Sequence, residues 1–450
     1  MPIPTEPFLP IEIVELIIDG LLMRRRIWQP REALQHLKTC SLVCRAWADL
    51  CQRRIFAYLK FGYRIAVEDT DFDKERRLIR VLEEKPALLT HVKHLCYVGG
   101  NLSVESRRVD PAFSVFLRFP CVTRLLMSCF TVSFEEAGRH GYGFRRILTY
   151  YLSTGNLSLL SISRVKQLPI HDILVTSSLK GLHLQSCSFK TDKEAPGPEN
   201  ASLKYLRLEA NDDVSWDLFR SCKQLETLVI EQTYDSTIKD LHTIEECLPN
   251  LKHFRVLTPY VSHNEASDKS VSGILRGLGP VEGLSFQKTC IGFELAEPLL
   301  KDIEKCAFKP LLIAICDTLS AIRGNNVFEE LELVLPYDTL DPMSQSHFPV
   351  DELDEWARFA ALITGSDEHA SFPFLRRLSL LIFVSDRESH GPNRLKLDEL
   401  DAFESDFKRM LAPVKALDIL FQLEIKPITL VEPQHFKFPA HFDRYSPHEL

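Results

Sequence analysis

One pattern returns along most of this chain and limits what it can fold into: apolar, two residues of any kind, apolar, one of any kind, apolar. It stands at Val92/Leu95/Tyr97, Val122/Leu125/Met127, Leu157/Leu160/Ile162, Leu179/Leu182/Leu184, Leu203/Leu206/Leu208 and Leu225/Leu228/Ile230. It goes on at Leu251/Phe254/Val256, Val281/Leu284/Phe286, Phe328/Leu331/Leu333, Leu375/Leu378/Leu380 and Val414/Leu417/Ile419. The last two apolar positions of each unit are two apart, so on a strand they share one side, and the residue between them takes the other. No unit can bury its apolar face alone, whereas stacked units bury a continuous core. In the central block the units start at 179, 203, 225 and 251; the unit at 157 lies 22 residues before it, and the other spacings lengthen to between 30 and 47 residues.

Units 22 to 26 residues apart resemble leucine-rich repeats, whose period is about 20–29 residues. Between strands, Ile238, Leu241, Ile244, Cys247 and Leu248 fall at helical spacing, and Pro249 and Pro373 end such helices before the next strand. The resemblance implies an α/β fold: an irregular solenoid with parallel strands on the concave face and helices on the convex face. The Asn or Cys usual after the strand is mostly absent, although Cys187 follows Leu184 at the right distance. A non-repeat α/β domain whose parallel strands read alike is the alternative, kept open by the long spacings after 286.

Residues that alternate with the buried leucines would line the concave surface. In the central block these are Gly181, His183 and Gln185; Tyr205, Arg207 and Glu209; Thr227, Val229 and Glu231; His253, Arg255 and Leu257. His183, Tyr205, Arg207, Glu209, Thr227, Glu231, His253 and Arg255 are the candidate substrate-binding residues, with Tyr205 and the two arginines of the types that dominate protein interfaces.

The first sixty residues read differently. Pro10 suits the start of a helix, and Ile11 to Leu22 place Glu12, Glu15 and Asp19 on one narrow side. Apolar residues fill the remaining arc of roughly 240° at 100° per residue. A helix packed on one core needs a stripe of only about 100°, so the arc predicts either two gripping surfaces or a helix central to its own domain. Further on, Thr39 or Ser41 reads as an N-cap, and Val43, Ala46, Trp47 and Leu50 fall on one helical face.

Leu9-Pro10-Ile11-Glu12, followed by Leu42-Val43-Cys44-Arg45-Ala46-Trp47, resembles an F-box over about residues 8–56. The link between its first two helices, Met23 to Glu32, is longer than in a compact F-box. The resemblance implies docking to the Skp-type adaptor of a cullin–RING ubiquitin ligase. The adaptor-facing positions would be Leu9, Pro10, Ile13, Ile17, Leu42, Val43, Arg45 and Trp47, with Trp47 as an internal core residue the competing reading. The expected organisation is a helical module at 1–60, a helical linker at 61–88, degenerate repeats at 89–430 and a tail at 431–450. That tail is rich in His, Phe and Pro without periodicity, and either is disordered or caps the last repeat.

Composition narrows the function. A net charge of −8 argues against a general nucleic-acid binder, which needs a basic surface. Glu12, Glu15 and Asp19 interrupt the early apolar run, so it reads as neither signal peptide nor membrane span. The twelve cysteines therefore read as reduced, buried thiols, the sequons at Asn101, Asn156 and Asn200 as chance matches, and Arg24–Arg26 as a solvated run. The expected location is cytoplasmic, nuclear or both.

The search for chemistry finds little. The sequence has no glycine-rich phosphate loop and no Gly-x-Ser-x-Gly elbow. Cys40 and Cys44 lack a second pair to complete a zinc site, and Glu329, Glu330 and Glu332 alternate with strand leucines rather than marking an acid–base pair. The expectation is a non-enzymatic receptor without catalytic residues, metal or cofactor. It would bind the adaptor and a protein substrate, but neither nucleic acid nor membrane. An interaction scaffold outside any ligase is the alternative.

Overall fold

A computed structural model describes residues 10–23, 30–62, 70–99, 110–136, 142–190, 202–209, 211, 214, 216–231, 248–259, 281–289, 308–321, 327, 329–338, 350–365, 372–385 and 397–428. The chain divides into two compact units, Met1–Leu168 and Pro169–Leu450.

The first unit opens with three helices, α1 (Ile11–Met23), α2 (Pro30–Cys40) and α3 (Arg45–Ala57). β1 (Tyr58–Gly62), α4 (Thr70–Glu84), β2 (His94–Val98), β3 (Arg124–Ser133), α5 (Phe144–Ser153) and β4 (Leu159–Lys166) follow. The four strands pair in sequence order, all parallel, so Leu59, Leu95, Leu125 and Leu160 form one buried row and Phe61, Tyr97, Met127 and Ile162 another. Phe116 packs 4.3 Å from Phe61, ring centre to ring centre. The buried Tyr151 hydroxyl donates to the Phe116 carbonyl at 2.6 Å.

β1 corrects the expected boundaries. It falls across the end of the predicted helical module and the start of the predicted helical linker, so the repeats begin before residue 89. Its triplet, Phe56/Leu59/Phe61, obeys the repeat pattern. Gly62 ends the strand at φ +124°, with no room for a Cβ against Val98; its amide donates to Glu75 Oε1 at 2.5 Å, which ties α4 to the strand end.

The second unit holds α6 (Ile170–Leu174) and five strands in succession: β5 (Gly181–Gln185), β6 (Tyr205–Glu209), β7 (Thr227–Glu231), β8 (His253–Pro259) and β9 (Gly283–Thr289). Then α7 (Phe308–Ala321), β10 (Glu330–Asp338), α8 (Val350–Thr364), β11 (Arg377–Ser385), α9 (Leu397–Met410), α10 (Ala412–Lys415) and β12 (Leu420–Ile428) alternate. The eight strands again pair in sequence order and in parallel. Leu182, Leu206, Leu228, Phe254, Leu284, Leu331 and Leu378 form a continuous buried row. Each strand opens with the same rung: Tyr205 N–H donates to Lys180 O at 3.0 Å, Thr227 to Lys204 at 3.0 Å and His253 to Glu226 at 2.9 Å. One parallel strand per repeat, with the connections packed on the apolar side, is the architecture of a leucine-rich-repeat-type solenoid. It is established here by strand order and register.

Repeat length decides what fills the connection. Between β6 and β7 only a 3-10 turn, Trp216–Phe219, is described. The longer intervals flanking β10 hold full helices, whose Leu312, Ile315, Leu319, Trp356, Phe359 and Ile363 are buried, with Trp356 against Phe407 at 4.6 Å. The helix predicted over 237–248 lies outside the described residues, as does the tail beyond Ile428. The last predicted unit is displaced: Val414 is buried in α10, and the strand begins at Leu420, pairing Phe421 with Leu378 and Leu423 with Leu380. Asn211, three residues past Leu208 as Cys187 is past Leu184, is a buried bridge that sequence reasoning missed. Its side chain donates to Leu184 O at 2.9 Å and accepts from Cys187 N–H at 2.8 Å.

Candidate functional site

Two surfaces carry the sequence-derived candidates. The first is the three-helix module. α1 starts where the Pro10 carbonyl accepts from the Ile13 and Val14 amides at 3.0 and 3.2 Å. Val14 and Ile18 are buried with Leu37, Leu50 and Cys51, and Cys40, Trp47 and Ile55 pack against that cluster. Trp47 therefore belongs at least half to the module's own core. About 120° around α1 from Val14 and Ile18, at 100° per residue, lie Ile13, Leu16 and Ile17, which are 42, 67 and 40% exposed.

Leu42 and Val43 are 84 and 64% exposed. They stand on a turn rather than a helix, because α3 begins at Arg45 with Cys44 as its N-cap. Neither Thr39 nor Ser41 caps α3: their hydroxyls donate back to Gln35 O at 3.0 Å and Lys38 O at 2.6 Å. The amides of Leu42 and Val43 donate to Thr39 O and Cys40 O, both at 3.1 Å. This bonding fixes the turn, so the exposure of Leu42 and Val43 is built into the backbone. Each such side chain forgoes roughly 1.5–3 kcal/mol of burial. Pro10 and Arg45 are exposed as well, and Leu9 lies outside the described residues.

The second surface is the outward face of β5 to β12, and register sets its rows. Tyr205, Thr227, His253, Gly283, Glu330 and Arg377 align in one; His183, Arg207, Val229, Arg255, Ser285, Glu332, Ser379 and Gln422 align in the next. Glu209 and Glu231 are partners in a third row. The strands thus bring all the predicted face residues together in β5–β8. They do not all stand open, however: Tyr205, Thr227, Val229 and Arg255 are buried.

Glu209 gathers its neighbours. His183 Nε2 lies 3.1 Å from Glu209 Oε2, Gln185 Nε2 donates to Oε1 at 2.5 Å, and Arg207 Nη2 reaches Oε2 at 3.2 Å. Burial pushes the Glu209 pKa up, but the bond from His183 and the charge of Arg207 outweigh it and hold the carboxyl below its usual value. Burial lowers the His183 pKa despite the opposing hydrogen bond to Glu209, so the ring is neutral near pH 7.

Glu332 is a site residue whose partner the sequence did not reveal. Its carboxylate sits 3.7 Å from Arg255 Nη2, with side chains only 4 and 9% exposed. Ser285 stands between them in the row, so the pair spans two strand spacings. One row below, Gly283 makes room for His253: a Cβ there would meet His253 Nδ1 at 2.7 Å. Among the described residues no three His, Cys, Asp or Glu side chains gather as a metal site. No described helix is long and apolar enough to cross a membrane. Among the described residues the cysteines are thiols rather than disulfides. Cys44 and Cys121 are exposed rather than buried, while burial pushes the thiols of Cys222 and Cys316 up to about 12.

No family model matches the chain, and no curated protein matches it. Among solved structures it is similar to an internalin from Listeria monocytogenes at 9% identity and a TM-score of 0.29, over 96% of this chain and 95% of that one.

Proposed function

We propose that this chain is the substrate-recognition subunit of a cullin–RING ubiquitin ligase. In this reading its three-helix module docks on a Skp-type adaptor and its repeats hold a protein substrate. The observation that carries the reading is the apolar set Ile13, Leu16, Ile17, Leu42 and Val43, exposed on a small module whose core, among the described residues, is Val14, Ile18, Leu37, Leu50 and Cys51. A unit of that size buries too little surface to be robust alone, and a partner that covers those residues supplies the missing burial. Pro10, Ile13, Ile17, Leu42 and Val43 coincide with the positions that the F-box resemblance assigns to the adaptor.

The receptor performs no bond chemistry and needs no cofactor; it raises the effective concentration of substrate beside the ligase, as tethering does. Its place of work is the cytosol or nucleus. Substrate contact falls on the reachable part of the outward sheet face, from Arg207 and Glu209 to Arg377, Gln422 and Glu424, rather than on the buried Tyr205, Thr227 and Arg255.

The test is a pull-down of purified Skp-type adaptor by the full chain and by an Ile17→Asp/Leu42→Asp variant, with circular dichroism on both. Tight binding by the wild type, reduced at least tenfold in a folded variant, is the expected result. A well-folded wild type that ignores the adaptor would replace this reading with an interaction scaffold outside any ligase.

A further inference from the structure

The two units carry different charges on their strands. β5 to β12 include Glu209, Glu231, Glu330, Glu332 and Glu424. β1 to β4 include no Asp or Glu at any position, in a chain whose net charge is −8. Their charged residues are Lys60, Arg124, Arg164 and Lys166, with His94 in register with Arg124. The outward row of Lys60 runs through Cys96 and Leu126 to Ser161. Lys60 is exposed and the other three are half-buried, so this row is reachable from outside.

Backbone geometry turns Arg164 away from the core. Regular alternation would bury residue 164 along with Leu160 and Ile162. Instead Arg164 takes a left-handed backbone, φ 61°. It lies opposite the irregular stretch of β3, where Ser128 pairs with Ser163 and Val132 already pairs with Val165. The alternation shifts by one: Val165 is buried, and Arg164 is exposed. Such irregularities re-aim side chains, and a residue with a Cβ takes this conformation only at a cost.

We propose that the outward face of β1–β4 is a docking surface for a short acidic peptide segment in extended form, its acidic groups on Lys60 and Arg164 and its middle over Leu126. Lys60 and Arg164 are three strands and three residues apart in register. At about 4.8 Å per strand and 3.3 Å per residue that is roughly 17 Å, the reach of about five extended residues. Tyr58, 48% exposed, and Arg124 flank this path, and both types anchor interfaces. Complementary charge steers such a partner and disfavours basic ones. The net charge of −8 repels a long polyanion, whereas a short segment feels mainly the charges within a screening length of about 10 Å. The face shares no residue with the adaptor-facing set, so the inference stands apart from the ligase reading.

Fluorescence anisotropy tests this with the full chain and a labelled peptide, Glu-Glu-Leu-Gly-Leu-Glu-Glu. The same peptide with lysine for glutamate, the same with phosphoserine for glutamate, and a short oligothymidine are measured beside it. The glutamate peptide is expected to bind, more weakly as salt rises, and the lysine peptide is not. Tighter binding of the phosphoserine peptide would assign the partner's anion as phosphate, and tighter binding of the glutamate peptide as carboxylate. Lys60→Glu/Arg164→Glu should weaken the anionic peptides at least tenfold and leave adaptor binding unchanged. Arg164→Gly suits the left-handed backbone, so it should hold or raise the urea midpoint while still weakening the peptide, which separates a lost charge from a lost fold. Should the double variant fail to fold, the glycine variant decides alone. A folded wild type that binds neither anionic peptide, or binds the lysine peptide as well as the glutamate one, overturns the proposal. So does peptide affinity unchanged in the folded variants, and so does an oligothymidine that binds more tightly than either anionic peptide.

Discussion

The three-helix module and the outward face of β6–β10 invert each other. In the module, leucine and isoleucine stand in water, with Leu42 84% exposed. On the sheet face, Arg255 and Glu332 are charged residues with side chains 9 and 4% exposed. Residue type predicts burial for most of this chain, yet it fails at both candidate sites. Each failure has a local cause. A hydrogen-bonded turn holds Leu42 outward, and the parallel register of β8 to β10 sets Arg255 and Glu332 in one row, close enough to pair.

The contrast is sharpest at the buried pair, where the largest effect is expected. Removing one partner, as in Glu332→Leu, takes this ion pair from a buried charge, at a cost of about 3–5 kcal/mol. Replacing both, as in Arg255→Met/Glu332→Leu, should recover most of that loss, because well-packed apolar pairs often equal buried ion pairs. Urea unfolding of the three variants gives the answer. A single variant as stable as the wild type would show that the face opens to water around the pair.

How much of this was legible in the sequence depends on which side of the strand is asked about. The ten units from Val92 to Leu380 were legible because leucines two apart recur at fixed positions, and all ten coincide with strands. β1 was hidden because Phe56 lies in the last turn of α3 and Leu59 and Phe61 follow directly, so the three read as the helix continuing. β12 was misplaced because Val414/Leu417/Ile419 fits the pattern by composition. The true register puts Asp418 where an apolar residue was expected. The outward rows were legible as alignment, since parity alone sets them, but their burial was not. Whether Tyr205 or Thr227 meets water depends on what packs over the sheet, and no local pattern encodes that. Asn211 escaped notice because a lone asparagine three residues past a strand leucine looks like a loop residue until its two backbone partners are seen.

A middle-sized effect comes from pH and concerns the sheet face alone. Burial holds the His183 pKa below its unfolded value near 6.5, in spite of Glu209. The folded state therefore favours the neutral ring. Its contribution to stability is complete above about pH 6.5 and is lost as pH falls through the lower folded value. Glu209, held below its ordinary value, has the same sign: its contribution is present above the unfolded pKa and is lost as pH falls through the folded one. The urea midpoint should drop between pH 7.5 and pH 5, and His183→Gln should flatten the upper part of that fall. An unchanged slope in the glutamine variant would assign the dependence to other groups, His253 first among them, since burial lowers its pKa too.

The smallest change in stability is expected where the side chains are most apolar. Leu16→Ser and Leu42→Ser alter residues that contribute little to the fold and should shift stability by no more than about 0.5 kcal/mol. Ile18→Ala, one turn along the same helix from Val14 and equally buried, should cost about 2–5 kcal/mol. The comparison separates two explanations for the wide apolar arc of α1. If the exposed set serves a partner, serine at positions 16 and 42 leaves the midpoint in place and weakens only the adaptor complex. If those residues are instead covered within the chain, the serine variants will lose stability on the scale of Ile18→Ala. The apolar exterior would then be a second interior, and the contrast with the sheet face would vanish.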